Sequence, residues 1–150
     1  MKRHITHIVV HCTGASQKQS VESIIRYWKE QLGWKNPGYH RIVEADGTKH
    51  KLLHFDQVSN GVGGYNSTLI NICYIGGQFG DDRTDAQKAG LLDFIYEAIE
   101  YINDLEGLTE QQKILVPKKK IIIQGHRDFP NVNKACPNFD AKSEYSWITA

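Results

Sequence analysis

Three side chains far apart along this chain have types and placements suited to chemistry: His11, His126 and Cys136. His126 and Cys136 share one stretch, Gly125-His126-Arg127-Asp128-Phe129-Pro130-Asn131-Val132-Asn133-Lys134-Ala135-Cys136-Pro137. It follows Ile121-Ile122-Ile123, whose β-branched content reads as a buried strand. Reactive side chains delivered into a loop by a rigid strand are a common way for a scaffold to present chemistry. His11 ends another apolar run, residues 5–10. If the two strands are neighbours in an open α/β sheet, their C-terminal ends bring both imidazoles to the edge where ligands gather. Cys136 returns to them over nine intervening residues. Two imidazoles and a thiolate make three zinc ligands and leave a fourth tetrahedral position for water, the pattern of a catalytic zinc. Other readings stay open on spacing alone. Each His could be a hydrogen-bonded or exposed residue at a strand end, and Cys136 could be packing. A thiol-protease Cys–His pair fits less well, because Cys136 lies between Ala135 and Pro137 and not at a helix N-terminus that would lower its pKa.

Strands and helices interleave in the elements that must hold these residues. Residues 5–10 predict a strand broken at Gly14. Ser20 predicts a helix N-cap, with Val21, Ile24, Ile25 and Trp28 at helical spacing up to about residue 32. Residues 39–44 and 49–53 predict a hairpin around Ala45-Asp46-Gly47-Thr48. Residues 54–68 read as a glycine-rich loop, and residues 70–77 as a central strand, apolar at most positions. Thr84 or Asp85 should cap a helix to about Asn103, with Ala89, Leu92, Ile95, Tyr96 and Ile99 as its buried stripe. A helical turn near Thr109 should end at Pro117. Residues 120–124 predict the next strand. Residues 140–150 predict a last short helix with Trp147 packed inward. The expectation is a single α/β domain over residues 1–150, a central mixed sheet flanked by helices.

Composition bounds the partners. The chain has 150 residues, 40% apolar and 23% charged, with a net charge of +1 and a pI near 7.8. That balance argues against a general attraction to nucleic acid or to an anionic membrane. Lys118-Lys119-Lys120 is the only basic run and reads as a solvated loop. Three cysteines do not make a disulfide framework. Cys12 and Cys73 sit in or beside apolar runs as small buried hydrophobes. No stretch approaches the roughly 20 apolar residues of a membrane span. Met1-Lys2-Arg3-His4 leads into a strand without a signal peptide's apolar region, so synthesis in the cytoplasm is expected, with a lysis route able to deliver the chain to a cell wall.

Taken together, the motifs resemble one family. Ile8-Val9-Val10-His11-Cys12-Thr13, Gly38-Tyr39-His40-Arg41-Ile42-Val43 with Asp46-Gly47, Gly64-Tyr65-Asn66-Ser67 with residues 70–77, Gly125-His126-Arg127-Asp128 and Lys134-Ala135-Cys136-Pro137 occur in its order and near its spacings. The chain resembles the zinc N-acetylmuramoyl-L-alanine amidases of the phage T7 lysozyme type, which share a fold with peptidoglycan recognition proteins. The resemblance spans about residues 5–140. It implies that His11, His126 and Cys136 are the zinc ligands and that Tyr39 and Lys134 assist catalysis. The implied substrate is peptidoglycan or a muropeptide, cut at the amide between N-acetylmuramic acid and L-alanine by a monomer. Zinc in such a site lowers the pKa of bound water from 15.7 toward about 7, and Lys134 and Tyr39 offer donors to the oxyanion of the tetrahedral intermediate.

One position departs from the pattern. Many relatives have an Ala-His pair before the Gly-Tyr-Asn segment, and this chain has Asn60-Gly61. His40 should face away from Tyr39 and is not expected to be a ligand, nor is His54. His4, His7 and His50 read as surface or partly buried residues, His7 being the best of them as a core His. Arg127 and Asp128 are expected to brace their loop. A non-catalytic peptidoglycan-binding module of the same fold is the alternative function. It is disfavoured because all three ligand positions are filled, as are Tyr39 and Lys134. A third function, inhibition of another protein such as a polymerase, is neither supported nor opposed by these residues.

Overall fold

The computed structural model describes residues 3–107 and 120–149. The helical turn expected between Thr109 and Pro117, and Lys118-Lys119, lie outside the described residues. The strands are β1 (His7–Cys12), β2 (Arg41–Val43), β3 (Lys49–Lys51), β4 (Leu69–Tyr74) and β5 (Ile122–Gly125). The helices are α1 (Val21–Arg26), α2 (Asp85–Leu105) and α3 (Ala141–Glu144). The five strands form one sheet in the order β3-β2-β4-β1-β5. Only the β2–β3 hairpin is antiparallel, so the sheet is mixed, as expected.

Alternation along the inner strands divides the apolar residues between two faces. Ile8, Val10, Ile70, Ile72 and Tyr74 point to one side and pack with Leu91, Phe94, Ile95, Ala98 and Ile99 of α2 and Ala141 of α3. Cys73 and Ile42 point to the other side, where they meet Val21, Ile24 and Trp28. β4 is buried at all six positions, which its central place in the sheet requires.

The helices begin where their caps place them. The Ser20 hydroxyl accepts from the Ser23 N–H at 3.2 Å, and residues 27–31 extend α1 as a wider π-helical turn. Thr84 and Gln87 form a reciprocal capping box at the start of α2. Gln87 is buried and also donates to the Ile75 carbonyl at 2.8 Å, tying α2 to the end of β4.

Some expected faces differ. The α2 stripe is rotated from the expected one. Ile95 and Ile99 are buried as predicted, but Leu91, Phe94, Ala98 and Ile102 complete the stripe, Ala89 is exposed, and Leu92 and Tyr96 are only partly buried. The helix lies over β2 and β4 with Gly90 against Val43, and that close approach sets the rotation. Trp147 is 58% exposed, not packed inward. After α3 the chain tightens into a turn of three residues per revolution, so Tyr145 and Ile148 share the buried side and Trp147 faces out. His7 is half-buried beside Phe129, with ring centres 5.3 Å apart, and is not a core residue.

His40 is fully buried. Burial, the dominant cause, holds its pKa down to about 4. Below about pH 6.5 the unfolded chain gains a proton on this ring that the folded chain refuses, so stability falls on acidification, by about 1.4 kcal/mol per pH unit until the folded pKa is reached. Urea unfolding at pH 7 and pH 5 checks this. The expected result is a lower midpoint at pH 5, with a shallower pH dependence in His40→Gln; an equal midpoint at both pH values contradicts it.

Candidate metal centre

The sheet register brings the two imidazoles together. Val10 of β1 pairs with Gly125 of β5 in parallel, so the residues that follow, His11 and His126, stand level at adjacent strand ends. Their ring centres are 5.0 Å apart, edge to face. β1 runs two residues further than expected, so His11 is within the strand and only 1% exposed. His126 opens a tight turn, Gly125's N–H donating to the Asp128 carboxylate at 2.9 Å. Asp128 thus braces the loop, as its place in the motif implied.

Cys136 is returned to the same point by close packing. A Cβ on Gly125 would lie 2.5 Å from Pro137 Cδ, so this glycine lets the returning segment rest on the β5 backbone. The Arg127 N–H donates to the Cys136 carbonyl at 2.9 Å, and the Tyr74 hydroxyl to the Pro137 carbonyl at 2.6 Å. Asn138, in the left-handed region at φ 70°, donates to the Gly77 carbonyl at 2.7 Å. The Cys136 sulfur then accepts the Cys12 N–H at 3.2 Å and faces His11 Nδ1 at 3.9 Å.

The ligand atoms of His11, His126 and Cys136 all lie within 4.8 Å of one another. In a tetrahedral zinc site, ordinary Zn–N and Zn–S lengths place N and S about 3.6 Å apart. The His11–Cys136 separation is within a few tenths of an ångström of that. The surroundings of all three groups favour their neutral forms. Burial, with the neighbouring His126, lowers the His11 pKa to about 3. Burial, then the Lys134 charge, lowers that of His126. The hydrogen bond with Cys12, then burial, pushes the Cys136 thiol up. Shifts in these directions disfavour a thiolate–imidazolium pair and so speak against the thiol-protease reading. The three groups do make a cradle of two imidazole lone pairs and one ionisable sulfur, a donor set that suits zinc.

The cradle opens into a cleft of about 710 Å³ whose lining includes Trp28, Trp34, Tyr39, Asn60, His126 and Lys134. The Tyr39 ring is 4.9 Å from that of His11 and 5.5 Å from Trp28. Burial raises the Tyr39 pKa well above its ordinary value, so the phenol stays a donor. Lys134 is exposed at the mouth, close enough for its charge to act on both imidazoles. His40 does not line the cleft; it is buried, its Nε2 against the Gln57 carbonyl at 2.7 Å, and His54 is exposed beside Asp56. Sequence reasoning missed Asn71, whose buried side chain contacts His11 Nε2 at 2.8 Å. The signal was a single amide within Leu69-Ile70-Asn71-Ile72-Cys73-Tyr74, an otherwise apolar or aromatic strand.

The chain is similar to known proteins in sequence and in fold. The N-acetylmuramoyl-L-alanine amidase family model matches residues 1–139. An endolysin of Enterobacteria phage K11 is 31% identical over 140 residues, 93% of this chain and 84% of that protein. The solved Ph2119 endolysin, from a bacteriophage of Thermus scotoductus, superposes with a TM-score of 0.76 at 19% identity, over 99% of this chain and 86% of that one. Drosophila PGRP-LB shares the fold with a TM-score of 0.72 at 15% identity, over 97% and 82% of the two chains.

The contact of Gly125 with Pro137 makes a specific prediction. Gly125→Ala should displace Cys136 from the two imidazoles while the α2 face of the sheet stays folded. Chelator competition should then show zinc binding weakened at least about tenfold, the scale on which disturbing a metal site's supporting structure acts. Unchanged affinity in a folded variant would show that Cys136 is placed independently of this contact.

Proposed function

This chain belongs to the N-acetylmuramoyl-L-alanine amidase family, and on that premise we propose that it cuts its peptidoglycan substrate with a zinc ion held by His11, His126 and Cys136. The observation that carries the proposal is the convergence of two neutral imidazoles and a thiol, all within 4.8 Å, beneath an open cleft. All three ligands come from one chain, so the site is complete in a monomer. The bond broken is the amide between the lactyl group of N-acetylmuramic acid and the first L-alanine of the stem peptide. The phage relatives' name, endolysin, supports wall degradation as the setting.

His11, His126 and Cys136 would hold the zinc, which would supply Lewis acidity to polarise the amide carbonyl and acidify water. The chain's own groups do the rest. Trp28 and Trp34, with ring centres 6.4 Å apart, form an apolar wall against which substrate can lie. Tyr39, kept protonated by burial, donates to the oxyanion that develops on the carbonyl. Lys134 brings a cationic donor from the exposed side of the cleft and balances the same charge. Both act as fixed donors whose benefit is largest when the carbonyl becomes tetrahedral.

A non-catalytic binding module of the same fold would bind wall fragments without changing them. Mass spectrometry of products from intact sacculi separates the two readings. New L-alanine amino termini are expected, and intact stems after long incubation with zinc-loaded protein would leave only binding. Cys136→Ala should abolish both metal retention and hydrolysis. Lys134→Ala should retain zinc and lose on the order of a hundredfold in rate; wild-type turnover in that variant would remove Lys134 from the mechanism.

A further inference from the structure

Behind His11, on the same face of the sheet, lies a buried polar cluster that the reaction does not use. His40, Ser59 and Asn71 are all fully buried. Asn71 pairs with Val9, one pleat before the His11–Cys73 pair, so Asn71 and His11 project to the same side. The Asn71 side chain fills the space over Gly61, where a Cβ would lie 2.4 Å from its Cγ. Gly61 has no positive φ, so the missing side chain answers to space and not to backbone conformation.

The hydrogen bonds of this cluster run in one direction. The Asn71 backbone N–H donates to His40 Nδ1 at 3.0 Å, so that nitrogen carries no proton. His40 Nε2 carries it and donates to the Gln57 carbonyl at 2.7 Å. The Ser59 hydroxyl donates to the same Nδ1 at 3.1 Å, and its oxygen accepts from Asn71 Nδ2 at 2.8 Å. Asn71 Oδ1 is then the atom facing His11 Nε2, at 2.8 Å, and an acceptor there calls for a proton on Nε2. With the amide reversed, Ser59 would spend its proton on Asn71 and leave two acceptors facing each other in a dry site.

We propose that Asn71, oriented by Ser59 and His40, is a positioning residue that locks His11 in its Nε2–H tautomer and so aims the Nδ1 lone pair at the metal. Two backbone groups, the Asn71 N–H and the Gln57 carbonyl, thereby set the tautomer of a ligand through three side chains. The Nδ1 atom so exposed is the one that faces Cys136 Sγ. The inference rests on the reading of His11 as a zinc ligand, but the tautomer is measurable without metal.

Long-range proton–nitrogen correlation spectra of the metal-free protein test it directly. Wild-type His11 should be the Nε2–H form, and Asn71→Leu should give a mixture of tautomers. Zinc affinity from chelator competition should fall about 10–100-fold in Asn71→Leu, while Asn71→Asp, which keeps an acceptor facing Nε2, should retain most of it. Ser59→Ala is the milder variant should Asn71→Leu fail to fold, and should shift the tautomer in the same direction. An Nδ1–H tautomer in the wild type overturns the inference, as does unchanged zinc affinity in a folded Asn71→Leu. A wild-type protein that binds no zinc would instead sink the metal reading, with the spectra still deciding the tautomer.

Discussion

The structure depends on one pairing, Val10 against Gly125 in the parallel β1–β5 ladder. A slip of one residue would turn His126 to the opposite face of the sheet. The register is held by apolar residues on both sides of β1 and by the N–H of Ile122, which donates to the Thr6 carbonyl at 3.0 Å. Gly125 adds a second constraint, since nothing larger lets Pro137 approach the strand. The three candidate ligands are thus set by backbone geometry before any ion is present.

Electrostatics follows from that placement. Burial disfavours charge on both imidazoles, and the hydrogen bond with Cys12, then burial, raises the Cys136 thiol, so all three shifts favour the neutral form. An unsatisfied set of this kind has one natural complement, a cation that is willing to ionise sulfur. Burial also keeps the Tyr39 phenol protonated. Lys134 escapes it by standing at the exposed mouth of the cleft. One environment therefore yields neutral ligands, a neutral donor and a charged donor, differing only in depth.

The strands, the caps at Ser20 and Thr84 and the hairpin at Asp46-Gly47 were legible because each depends on local pattern or turn chemistry. The grouping of His11, His126 and Cys136 was only half legible. Strand ends could be read, but their adjacency in the sheet could not, and family resemblance filled that gap. The α2 stripe was misjudged because periodicity gives a face's width and not its angle, and Gly90 lies close against Val43; Trp147 was misjudged because the chain after α3 turns with three residues per revolution. Asn71 went unnoticed because an amide in a strand carries no motif. Its meaning lies in partners from three other segments of the chain.

The candidate ligands His11 and Cys136 are separated by 125 positions, so an ion held between them would tie the first strand to the loop after β5. An ion shared between them is a clasp as well as a reagent. Because the unfolded chain scatters these side chains, binding to the folded form alone would add about 2.7 kcal/mol of stability at a free ion concentration a hundred times the dissociation constant. That reinforcement would fall on the segment from Gly125 to Asn138, which carries two of the three candidate ligands. Loss of an ion held there would therefore act twice, removing the Lewis acid from the cleft and the link between β1 and the loop after β5.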